Sequence, residues 1–126
     1  MRKSFIVVAL ALATIPMNGA MAAMDVATFL GKADALRAKG PMALFSSDIG
    51  LLKREVTTAS GALRAERLAE VKAGRKPAYC PPAKGSMNSD ELLAAMRAVP
   101  PTERPRTDIG TVLRSIMIRK FPCPAR

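Results

Sequence analysis

Two cysteines are the residues whose chemistry is most legible in this chain. Cys80 and Cys123 are its only cysteines, and prolines flank both, as Tyr79-Cys80-Pro81-Pro82 and Phe121-Pro122-Cys123-Pro124. In an oxidising compartment an even pair reads as a disulfide. The competing chemistry is a dithiol redox pair, which is disfavoured because no C-x-x-C spacing lowers the pKa of either thiol. Histidine is absent from the sequence. A Ser-His or Cys-His nucleophile is therefore impossible within the chain, and the commonest proton carrier and metal ligand is missing. Two cysteines alone do not build a structural zinc site. The carboxylates close enough to share acid–base work are Asp90 with Glu91 and Glu66 with Glu70. Both pairs fall in helix-patterned runs beside basic residues and read as solvated. We expect no enzyme, no cofactor and no metal.

The elements that must position the cysteines are helices. Between them lie two helix-patterned runs separated by Pro100-Pro101 and a proline-rich connection, Thr102-Glu103-Arg104-Pro105-Arg106. The first is predicted over 89–99, with Asn88 and Glu91 in capping-box relation and Leu92, Leu93, Met96 and Val99 on its apolar edge. The second runs to Lys120 from a cap at Thr107 or Asp108, with Ile109, Val112, Leu113, Ile116 and Met117 facing the core. These runs are roughly 16 and 21 Å long and joined by a short turn, so they pack antiparallel. That arrangement brings Cys80 near Cys123. The closed loop spans 123 less 80, or 43 positions.

Upstream, Asp25 caps a helix predicted over 26–39, with Val26, Phe29, Leu30, Ala33 and Leu36 on one face. Gly40-Pro41 stops it. Met42-Ala43-Leu44-Phe45 reads as a short link, expected to be buried. Ser46-Ser47-Asp48 opens the longest helix, to about Ala73, with a core stripe of Ile49, Leu52, Val56, Ala59 and Leu63. Gly61 and the like-charged Glu66 and Glu70 predict fraying or a bend in its second half. Aromatic and β-branched residues are scarce, so Leu, Ile, Val, Met and Ala fill the core, as suits helices. The expected fold is all-α, a small four-helix single domain closed by one disulfide.

The first 22 residues read as a signal peptide. Arg2 and Lys3 precede an apolar run of 11 residues from Phe5 to Ile15, then Pro16, Gly19 and Ala20-Met21-Ala22. That run is too short to cross a bilayer, which needs ~20 apolar residues. The expected mature chain starts at Ala23. Taking 22 residues from 126 leaves 104, one domain, with no transmembrane anchor after cleavage. The expected location is periplasmic or secreted. Cleavage removes Arg2 and Lys3 and lowers the net charge from +10 to +8. Such a charge first suggests nucleic acid, but the leader and the lack of a nucleic-acid motif argue against it. The remaining partners are acidic proteins, anionic lipid and cell-wall polymer, with solubility as the plainer role of the charge. Arg75 and Lys76, near Lys72 and Lys84, form the densest basic patch.

The Cys80-Pro81-Pro82, Glu91-Leu92-Leu93, Val99-Pro100 and Phe121-Pro122-Cys123 pattern resembles the Rap/Tai-type immunity proteins. The resemblance spans 79–124 and rests on Cys80, Pro82, Leu92, Pro100, Pro122 and Cys123, all structural positions. It implies an exported all-helical protein that binds and inhibits an amidase toxin of type VI secretion, blocking the groove that cuts peptidoglycan peptides. The first half departs from that pattern: Leu51-Leu52-Lys53-Arg54-Glu55 stands where the family carries a further cysteine and an aromatic-glycine pattern. The expected function is thus non-enzymatic binding of an exported protein partner. The alternative is a small periplasmic chaperone or stress protein with one disulfide. As partner-binding residues the sequence offers Arg104 and Arg106 in the turn, and Arg75 and Lys76 in the basic patch. Intact-mass measurement of protein from the periplasm is expected to show a chain starting at Ala23. A soluble cytoplasmic form retaining Met1 would contradict the leader.

Overall fold

Four stretches that begin with a side-chain cap fold as α-helices in the computed structural model, which describes residues 23–84 and 87–125. They are α1 (Val26–Ala38), α2 (Ser47–Lys72), α3 (Ser89–Ala98) and α4 (Ile109–Lys120). Two 3-10 turns, Gly40–Phe45 and Arg104–Arg106, join α1 to α2 and α3 to α4. The carboxylates of Asp25 and Asp108 and the amide oxygen of Asn88 each accept the backbone N–H three residues on at 2.8 Å. Ser46 Oγ accepts from Asp48 N–H at 3.3 Å. These bonds satisfy N–H groups that a helix start leaves without partners. The Thr28 N–H and hydroxyl hold the Asp25 carboxyl below its ordinary value. The cap therefore contributes stability above the usual carboxylate range and loses it as pH falls through that lowered value. Gly40 and Gly74, with φ of 55° and 74°, take the left-handed conformation that ends α1 and α2. The expected leader, 1–22, lies outside the described residues.

α2 is the spine. Its first half runs antiparallel to α1, with Lys32 Nζ 3.0 Å from Asp48 and Met24 N–H donating to Glu55 at 3.3 Å. The second half lies along α4, where Arg114 pairs with Glu66. α3 returns antiparallel on α4, and Lys120 Nζ reaches Glu91 at 2.8 Å. The starts of α1 and α4 meet in a single antiparallel bridge. Val26 N–H donates to the Thr107 carbonyl at 2.8 Å and Ile109 N–H to the Met24 carbonyl at 3.0 Å. Two helix starts thereby satisfy each other's first N–H groups, at the point where Val26 and Ile109 are fully buried.

One core results, built from the predicted stripes: Val26, Phe29 and Leu30; Leu52, Ala59 and Leu63; Leu92 and Met96; Ile109, Val112, Leu113 and Ile116. Tyr79 joins it from the loop. Two expectations are corrected. Met42, Leu44 and Phe45 are exposed rather than buried, because the Gly40–Phe45 turn juts from the end of the α1–α2 pair instead of folding beneath it. And α2 runs unbroken to Lys72. The like charges that were expected to fray it are each neutralised, Glu66 by Arg114 and Glu70 by Arg75.

Cys80 and Cys123 are bonded, with Cα atoms 4.8 Å apart, and Cys80 N–H donates to the Phe121 carbonyl at 2.8 Å. Closing 43 positions stabilises the fold by about 4 kcal/mol in the chain-entropy picture. Cys80→Ser, Cys123→Ser and the double variant are expected to lose similar stability in denaturant melts, within about 0.5 kcal/mol of one another, since each removes the same bond. Single variants that melt like the parent would contradict this.

Candidate functional site

A long helix shared by two shorter ones leaves a gap. α3 packs chiefly on α4 and α1. Between α3 and the first half of α2 an open groove of about 620 Å³ remains. Phe29 and Leu36 of α1, Ile49 and Val56 of α2, Leu93 of α3 and Met117 of α4 line it, and Leu52, Leu92 and Leu113 of the core reach its floor. Polar groups stand at the edge: Lys53, Thr57 and Ser60 from α2, Asn88 and Ser89 from the start of α3. This composition is apolar with few hydrogen-bonding groups, and suits an apolar ligand surface more than a reacting one.

The four basic residues singled out in the sequence do not converge. Arg75 and Lys76 follow the end of α2 and are exposed, with Arg75 Nη2 3.3 Å from Glu70. Arg104 and Arg106 lie in the turn before α4. Since Cys80 is bonded to Cys123 beyond the far end of α4, the two patches stand at opposite ends of that helix, which is ~18 Å long. Nor do the four line the groove. Arg104 is structural. Its Nε donates to the Val99 carbonyl at 2.9 Å and its Nη2 to the Arg97 carbonyl at 2.8 Å, covering the C-terminal carbonyls of α3. Arg97 in turn holds Asp34 of α1 at 2.7 Å, and that pair keeps the Asp34 carboxyl below its usual range. Arg106 is exposed.

Two further titratable groups have partners. Glu91, considered above as half of a carboxylate pair, binds Lys120. The Tyr79 hydroxyl donates to the Leu63 carbonyl at 3.0 Å, and burial pushes its pKa up, so it stays neutral. Among the described residues no group of three or more Cys, Asp or Glu is placed to hold a metal ion. The groove was not foreseen in the sequence. Its signal was an excess of apolar positions: Leu93 beside Leu92, Met117 beside Ile116, and Ile49 ahead of Leu52 widen each stripe beyond what one buried face needs. Comparison with family models, curated proteins and solved structures yields no match for this chain.

The two turn arginines are expected to separate by stability. Arg104→Ala should cost about 1–3 kcal/mol, because charge-assisted bonds to backbone carbonyls are lost. Arg106→Ala should stay within about 0.5 kcal/mol of the parent. Chemical denaturation of the two variants checks this, and equal stabilities would contradict the assigned role of Arg104.

Proposed function

We propose that the chain is a non-enzymatic, exported protein-binding domain, whose groove receives an apolar segment of an exported enzyme. The observation that carries this reading is the open groove, where side chains such as Ile49, Leu93 and Met117 stay partly exposed. A rigid apolar cleft with a polar rim is the form that accepts a partner's apolar helix or loop. The resemblance of 79–124 to Rap/Tai-type immunity proteins names the partner class as a peptidoglycan amidase delivered by type VI secretion. In that role the protein needs no catalytic group; it needs a fixed shape. The disulfide and the helix caps supply one. Exposed cations at the bundle ends then act on encounter rate and orientation more than on affinity.

The test is inhibition. Purified protein is added in stoichiometric steps to a type VI peptidoglycan amidase from the same genome, and peptidoglycan cleavage is followed. Saturating, one-to-one inhibition is expected. Leu93→Lys with Met117→Lys should weaken it at least about tenfold, a loss of ~1.4 kcal/mol, with the helical circular-dichroism signal retained. Inhibition unchanged by these substitutions would remove the groove from the interface, and failure to bind such an amidase would overturn the partner class. Suppressed aggregation of unrelated unfolded proteins without amidase binding would favour the chaperone reading instead.

A further inference from the structure

The three most exposed large apolar side chains among the described residues all lie in one short turn. Met42, Leu44 and Phe45, in the Gly40–Phe45 turn between α1 and α2, are 64%, 79% and 83% exposed. The next, Val71 and Leu68 on α2, are near half. Basic residues flank this turn on both helices. Arg37 and Lys39 lead into it, and Lys39 Nζ lies 3.4 Å from Ser46 Oγ, spanning the base of the turn. On α2, Lys53 and Arg54 follow within two helical turns of the tip, both exposed, and Lys53 also borders the groove. The Arg54 guanidinium folds back beside Gly50, toward the start of α2 and hence toward the tip. The two carboxylates of the same stretch are already paired, Asp34 with Arg97 and Asp48 with Lys32.

We infer that this tip is a docking site for an anionic lipid surface. An exposed apolar turn with Lys and Arg on the helices before and after it has the chemistry of interfacial insertion. The apolar side chains enter the headgroup boundary, while the basic side chains stay at the phosphate level with their stems along the apolar surface. A protein partner would need a cavity shaped to the tip; a bilayer needs none. The charge around the turn complements an anionic leaflet and adds attraction that salt weakens. The tip lies at the opposite end of α2 from Arg75 and Lys76. α2 has 26 residues and is ~39 Å long, so a membrane at the tip leaves the basic patch facing away from it. This inference stands apart from the amidase reading and is unaffected by its failure.

Co-sedimentation of the purified protein with vesicles tests it. Binding is expected to vesicles of phosphatidylcholine with ~30% phosphatidylglycerol, to weaken strongly at about 0.5 M salt, and to be slight on phosphatidylcholine alone. Leu44→Ser with Phe45→Ser should lower partition at least tenfold, and Lys39→Glu should lower it while the helical circular-dichroism signal is retained. Phe45→Trp reports insertion directly, by a blue shift of fluorescence on adding anionic vesicles. No binding to anionic vesicles, or no blue shift, would overturn the proposal. So would binding that survives the Leu44 and Phe45 substitutions but is lost in Arg75→Ala with Lys76→Ala. Substitutions at the tip that abolish self-association or capture of a protein, with lipid binding intact, would assign it to a protein partner instead.

Discussion

The structure depends on a double anchor at Tyr79 and Cys80. The Tyr79 ring is buried in the core and its hydroxyl bonds the Leu63 carbonyl on α2. Its neighbour is covalently tied to Cys123 beyond α4, and its N–H bonds the Phe121 carbonyl. Two adjacent residues thus bind one loop to the spine helix and to the end of the last helix. Without that clamp, the loop from Ala73 to Asn88 would leave α3 attached through its own contacts with α4 and α1. A buried phenol must keep its hydrogen bond or bear the cost of desolvation, so the ring and the disulfide support each other's position.

The groove follows from the same constraint. Tyr79 holds its stretch of the loop against the second half of α2, α4 lies along that half, and α3 packs on α4 and α1. α1 meanwhile occupies the first half of α2, held by the paired helix starts at Asp25 and Asp108. α3 packs on α4 and α1 and leaves the space between itself and the first half of α2 unfilled, so the apolar side chains bordering it stay partly exposed. A cleft held open by a disulfide, a reciprocal backbone bridge and four side-chain caps is pre-organised. Binding to it then loses less conformational freedom than binding to a loose surface would.

Much of this was legible in the residues. Helical spacing located all four helices within one or two positions, because each carries a regular apolar stripe and a capping side chain. The disulfide followed from two cysteines at the outer ends of an antiparallel pair. Other features were hidden because they depend on distant parts of the chain. Tyr79 stands alone in a loop, and nothing local shows that the Leu63 carbonyl waits for it. Arg104 looks like any turn arginine until the α3 C-terminus is placed within its reach. The Met42–Phe45 link is apolar in composition, and composition alone suggested burial; its exposure depends on where the rest of the chain packs. Similarly, Glu66 and Glu70 look repulsive in one dimension and are paired in three.

The most direct test of the anchor is hydrogen exchange on the intact protein, measured residue by residue before and after reduction of the disulfide. If Tyr79 and Cys80 clamp the loop, reduction will speed exchange at the Cys80 amide and through α3 at least about tenfold, while Val26 and Ile109, bonded across the paired helix starts, keep their protection. Unchanged protection in α3 after reduction, or equal loss of protection at Val26 and Ile109, would contradict the account.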